Sequence, residues 1–140
     1  MTLLERRRAL MMQIKRKSKN LFDISKVVTS NRVINNGDGT LTVNTYGANI
    51  GYLKNLCPEL KVGDIVVLSF ETDSNIKYFY ISGDVKKNWN QNKATTITQE
   101  VLDATILVYC KRVDGVNSPA LLSNIQIELG TEATEYEPYY

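Results

Sequence analysis

The chain has 140 residues, 43% of them hydrophobic and 23% charged, an ordinary globular composition that fits one domain and argues against disorder. It has no histidine and only two cysteines, Cys57 and Cys110, far apart in sequence. Imidazole bases, Ser-His-Asp or Cys-His pairs and the usual zinc sets are therefore unavailable, and two reduced thiols in or near the core are expected. The net charge of +2 hides a split: residues 1–19 carry seven Lys/Arg against Glu5 alone, while the rest carries ten basic and fourteen acidic groups. A basic arm precedes an acidic body.

The opening TLLERRRALMMQIKRKS contains good helix formers and no Gly or Pro, which predicts a helix within residues 1–19. Thr2 with Glu5 matches a capping box, and Leu3, Leu4, Leu10, Met11 and Ile14 form an apolar stripe at helical spacing. Such a stripe needs a partner, so these five residues are the expected anchor or oligomerisation surface. The arm has no aromatic residue for base stacking, which makes nucleic-acid packaging the weakest of the readings considered. No signal peptide opens the chain and no run approaches the roughly 20 apolar residues of a membrane span, so cytoplasmic synthesis and no membrane partner are expected.

From Asn20 the pattern changes to short strands and turns. Strands are expected over Leu21–Val28, Thr40–Tyr46, Ile65–Thr72, Lys77–Ser82, Thr95–Thr98 and Ala104–Val113, with a loop or helical turn between Ala48 and Leu60 and another turn near Gln99–Leu102. Asn36-Gly37-Asp38-Gly39 reads as a tight turn and lacks the spaced ligands of a calcium loop. In the closing strand Ile125, Ile127 and Leu129 alternate with Asn124, Gln126 and Glu128, the period of a half-buried strand. The tail beyond it gathers Tyr136, Tyr139 and Tyr140 around Pro138 and is expected to fold back as a clasp, burying rings. Seven or eight short strands at this spacing predict a mainly β protein, an antiparallel β-sandwich or jelly roll over residues 20–140 preceded by an N-terminal α-helix.

Four stretches carry a resemblance: NLFD at Asn20–Asp23, NNGDGTLTVN at Asn35–Asn44, LCPELKVGDIVVLSFE at Leu56–Glu71, and NIQIELGTEATEYEPYY at the end. Together they resemble the carbohydrate-binding-module-like jelly rolls of phage and prophage tail and fibre proteins. The final strand and its A-T-x-Y-E-P-Y tail fit that pattern from Asn124 to Tyr139, with Glu135 standing where proline is common. The opening LLERRRALMMQ is similar to the start of short phage structural proteins of that group. The resemblance implies a virion component of tail, fibre or head decoration, assembled in the host bacterial cytoplasm and joined through its helix to other virion proteins and to copies of itself. It implies either host cell-surface carbohydrate as a partner or a purely architectural role that decorates and links the particle, and does not choose between them. The alternative is a free-standing carbohydrate-binding module or adhesin.

Glycan binding needs an aromatic ring for the sugar's C–H face, with amides and carboxylates for its hydroxyls. KKNWNQNK offers Trp89, the only tryptophan, among Asn88, Asn90 and Gln91. Two readings stand for it: a stacking ring, or, as single tryptophans more often are, a core anchor packed back under the loop. Tyr46, Tyr78 and Tyr80 could share one face with it, or form the rim of the core. No enzyme is expected, because the acids (Asp38, Asp64, Asp84, Asp114 and Glu128) are scattered without a signature. Sandwiches of this family sometimes hold a structural calcium, for which Glu128 is the first candidate ligand; no other cofactor is expected.

Overall fold

The computed structural model describes residues 2–7, 18–44, 47–73, 78–109 and 119–140. Residues 3–7 form helix α1. Thr2 caps it: the Glu5 N–H donates to Thr2 Oγ1 at 3.1 Å, and the Arg6 N–H donates to the Thr2 carbonyl. That is the backbone half of the capping box legible in the sequence. Leu10, Met11 and Ile14 lie outside the described residues.

The body is mainly β. Its strands are β1 (Val33–Asn35), β2 (Leu41–Val43), β3 (Gly47–Tyr52), β4 (Ile65–Thr72), β5 (Tyr78–Ile81), β6 (Lys87–Asn90), β7 (Ala94–Thr96), β8 (Thr105–Tyr109) and β9 (Ala120–Leu129). Two single-turn helices interrupt them, α2 (Leu53–Leu56) and α3 (Gln99–Leu102), the latter capped by Thr98 through the Val101 N–H. The strands make two antiparallel sheets, one in the order β1-β2-β9-β4-β7 and one in the order β3-β8-β5-β6.

Both sheets contribute to one buried cluster. Val33, Leu41, Val43, Val66, Leu68 and Leu122 come from the first sheet, and Ile50, Ile81, Ile106 and Val108 from the second. Phe70 of β4 stacks on Phe79 of β5 with ring centroids 4.9 Å apart and planes 16° from parallel, tying one sheet to the other. Across the second sheet the paired positions Ala48, Val108, Phe79 and Trp89 form a single inward row, all buried.

The longest strand, β9, contains a bulge. β4 pairs Ser69 with Gln126 but Glu71 with Ser123, so Asn124 and Ile125 together face Phe70, and Asn124 takes a left-handed φ of 51°. One extra residue flips the strand's parity. Ala120 and Leu122 point inward before the bulge and Ile125 and Ile127 after it, and all four are buried.

Several sequence expectations change here. Leu21–Val28 is not a strand. The Leu21 N–H donates to the Ile127 carbonyl at 2.7 Å, and the chain then turns into a 3-10 turn, Ile24–Lys26, whose Ser25 N–H bonds to Asp23 Oδ1. Within the stretch expected as a loop or helical turn, ANIGY belongs to strand β3. KNWN, read as part of a polar loop, is strand β6, because alternation sends its one apolar residue inward and two asparagines outward. Leu129, expected to be inward, is 59% exposed at the end of the sheet, whereas Gln126 and Glu128, expected to face outward, are buried at 0% and 3%.

What buries them is the C-terminal tail. Thr134 Oγ1 donates to Glu128 Oε1 at 2.6 Å, and the Thr134 N–H reaches both carboxylate oxygens at 3.2 Å. Gln126 accepts from the Glu137 N–H at 2.9 Å and donates to Glu128 Oε2 at 2.5 Å. Val67, paired with Glu128, is buried on this side although it lies outside the shared core. The tail is a clasp, but a polar one: Tyr136 and Tyr140 stay exposed and Tyr139 is half-buried, its hydroxyl donating to Glu59. Ser18 and Lys19, expected in the arm, belong to this region. The Ser18 N–H donates to the Tyr140 carbonyl and Lys19 Nζ to Thr134 Oγ1.

Candidate functional site

The outer face of the second sheet follows from its register. Asn49 pairs with Leu107, Leu107 with Tyr80, and Tyr80 with Asn88, so these four side chains form one row across β3, β8, β5 and β6. On the next row toward the sheet's end, Gly47 pairs with Tyr109 and Tyr78 with Asn90. Tyr78, Tyr80 and Tyr109 are half-exposed, and Asn88 and Asn90 exposed.

The three tyrosines form one aromatic cluster. Tyr80 meets Tyr109 edge to face at 5.6 Å and 86°, and Tyr78 lies 6.2 Å from Tyr109 at 40°. Gly47 makes room for it: a Cβ there would stand 3.1 Å from Tyr109 Cε1. At the other end of the same face Tyr52 is exposed, with Lys54 Nζ 5.6 Å from its ring centroid. From strand rise and spacing, the face measures about 14 Å by 14 Å. It combines exposed aromatic surface with uncharged amides, a combination suited to a ligand with a C–H face and hydroxyl edges.

The residues expected from the sequence to act together are divided by this geometry. Asn88, Asn90, Tyr78 and Tyr80 share the face. Trp89 does not join them. It is 1% exposed, paired with Phe79 in the inward row, so the stacking role is corrected to the core-anchor role. Its indole N–H has no partner among the described residues. Gln91 is turned to the first sheet, where its Oε1 accepts the Phe70 N–H at 3.0 Å. Tyr46 lies outside the described residues. Tyr109 and Tyr52 were missed. The register that places Tyr109 beside Tyr80 is a non-local pairing, and Tyr52 directly precedes a helical turn in a stretch expected to be loop.

Of the residues expected to form an anchor, Leu3 and Leu4 are 67% and 59% exposed on α1. Glu128's carboxylate receives Thr134 and Gln126 donors, which makes it part of the tail clasp, and no group of three or more metal-binding side chains occurs among the described residues. Asp38 in the Gly37–Gly39 turn accepts the hydroxyl and N–H of Thr40, and the hydroxyl bond holds its carboxyl below the usual range. Cys57 is buried and unpaired to sulfur, and Cys110 lies outside the described residues. No described helix is long and apolar enough to cross a membrane. Comparison with family models, curated proteins and solved structures returns no match.

Proposed function

We propose that the protein is a structural component of a phage virion, a jelly-roll body carried on an anchoring N-terminal helix, which engages host-surface carbohydrate through the tyrosine face. The observation that carries the carbohydrate part is the coplacement of Tyr78, Tyr80 and Tyr109 with Asn88 and Asn90 on one sheet. Rings cover the apolar face of a pyranose, and the flanking amides, which can donate and accept, answer its hydroxyls.

Strand order supports the jelly-roll reading. Sheets ordered β2-β9-β4-β7 and β3-β8-β5-β6 match the result of winding eight strands into two Greek keys, with β1 an added edge strand. The shared core and the Phe70–Phe79 stack support face-to-face packing of the sheets. The virion assignment rests on the resemblance of the final strand and tail to phage tail and fibre jelly rolls. The exposed Leu3 and Leu4 on α1 agree with a helix that meets a partner.

The test is binding of the intact protein to isolated bacterial cell-wall polysaccharide and to defined oligosaccharides, read by affinity sedimentation and NMR titration. Tyr80→Ala and Tyr109→Ala should weaken binding about tenfold or more, the scale of losing a ring contact, and leave the melting temperature nearly unchanged. Retention of full affinity by both variants would remove this face from the function.

A further inference from the structure

We infer that a second saccharide site exists on the other sheet, in a cleft of about 590 Å³ that the C-terminal tail completes. Its floor is Ser69–Glu71 of β4, and its walls are Gln91 and Asn92 of the β6–β7 turn, Asn124 of the β9 bulge, and Thr134–Tyr136 of the tail. The volume falls in the range of about 300–1,000 Å³ typical of small-molecule sites.

The amides of this cleft differ from those that fold the chain. Asn20 Nδ2 donates to the Ile125 carbonyl while its Oδ1 accepts from Phe22 and Ile127. Asn35, Asn36 and Asn49 likewise spend their side chains on neighbouring backbone or hydroxyl groups. At the cleft, Gln91 is aimed by the Phe70 N–H on its Oε1, and its amino group has no protein partner among the described residues. The side-chain amides of Asn92 and Asn124 have none either. Both residues also hold left-handed backbone, φ 61° and 51°, two of the three described non-glycine residues that do so. Glycine would meet the backbone requirement at both positions without offering an amide.

The tail wall is fixed on either side. Glu128 holds Thr134 and Gln126 holds the Glu137 N–H, which leaves Glu135 and the exposed Tyr136 ring between two clamps at the cleft edge. A preformed wall with one ring, the unspent amides of Asn92 and Asn124, the amino group of Gln91 and the carboxylates of Glu71 and Glu135 matches a hydroxyl-rich ligand. The two carboxylates select against an anionic one, so the class assigned is an uncharged disaccharide or longer saccharide, N-acetylated sugars included. The site shares no residue with the tyrosine face and stands whether or not that face binds.

The experiment is a backbone-amide NMR titration of the full chain with cellobiose, maltose and N,N′-diacetylchitobiose at tens of millimolar. The result expected is saturable shifts at Gln91, Asn92, Thr134 and Tyr136 with at least one disaccharide. Asn92→Gly and Asn124→Gly remove an amide while keeping the backbone accessible, and Tyr136→Ala removes an exposed ring. Each should weaken binding about tenfold or more, by loss of one ring or paired amide. Tyr80→Ala should leave these shifts unchanged, which separates failure of the tyrosine face from failure of the cleft. Absence of shifts at the cleft with all three sugars, or shifts that persist at full affinity in Asn124→Gly and Tyr136→Ala, overturns the inference.

Discussion

Thr134 gives both its hydroxyl and its backbone N–H to the carboxylate of Glu128, at 2.6 and 3.2 Å, and so closes the tail onto the last strand. Removing that carboxylate takes the acceptor from both Thr134 donors and leaves the buried Gln126 amino group only its longer bonds to the Thr134 and Glu135 carbonyls, at 3.3 and 3.4 Å. Glu128→Ala is expected to cost about 2–4 kcal/mol in urea unfolding, the range for losing several charge-assisted bonds. Hydrogen exchange at Thr134 and Glu137 should accelerate with it. An unchanged midpoint would mean that the tail adds nothing to the stability of the body.

The bulge makes a second prediction. Asn124 sits at φ 51° and carries the parity switch between Leu122 and Ile125. A β-branched residue there should cost about 1–3 kcal/mol in backbone strain, whereas glycine should be close to neutral. Thermal melts of Asn124→Val and Asn124→Gly compare the two, and equal stability would show that the bulge does not need left-handed backbone.

The same bulge explains what could and could not be read from the chain. Alternation correctly identified Ile125 and Ile127 as inward, and the Gly37–Gly39 turn and the helical turn at Gln99–Leu102 follow from local chemistry. Alternation alone mistook Gln126 and Glu128 for solvated residues, because their burial depends on a tail that returns to them through Thr134 and Glu137. The candidate face was half legible. Asn88, Asn90, Tyr78 and Tyr80 stood out by type, but Trp89 drew attention as the largest ring in a polar stretch, and only its pairing with Phe79 turns it inward. Tyr109 could not be added without knowing that β8 lies between β3 and β5.

Trp89 is the sole tryptophan, so its environment can be measured directly. Its fluorescence should be blue-shifted and poorly quenched by iodide in the native protein, and saccharides should not change it. Trp89→Ala should destabilise by about 3–5 kcal/mol, as expected for emptying a large core site. Red emission that responds to added sugar would restore Trp89 to the binding surface.

α1 shows two exposed leucines, and among the described residues the contacts that tie the N-terminal part of the chain to the body begin at Ser18. If the helix serves as the proposed anchor, deleting residues 1–17 should leave the melting temperature of the body within a few degrees, a stability change below about 1 kcal/mol, while breaking up oligomers or abolishing docking to the proposed virion partners. A large loss of stability in the truncated chain would place the helix in the fold instead of the anchor.

Cys57 makes stability depend on pH at the alkaline end. It is fully buried at the C-terminal end of α2, and burial first, then the charges of Glu59 and Asp23, push its thiol well above the ordinary value of 9.0. Below that value both folded and unfolded chains hold the proton, and the thiol places no charge in the core. As pH rises past it, the unfolded chain releases the proton and the folded chain does not. Unfolding is then favoured by up to about 1.4 kcal/mol per pH unit, until the folded thiol itself ionises. Tyrosines of the tail titrate in the same direction but at higher pH, Tyr139 and Tyr136 both being raised chiefly by desolvation. Comparing wild type with Cys57→Ala isolates the thiol: the variant should be less stable at neutral pH through lost packing, and the gap should narrow steadily above about pH 9. Iodoacetamide should modify native Cys57 only as fast as the chain opens. A gap that stays constant to high pH, or rapid alkylation of the folded protein, would show that the thiol is accessible and free to ionise in place.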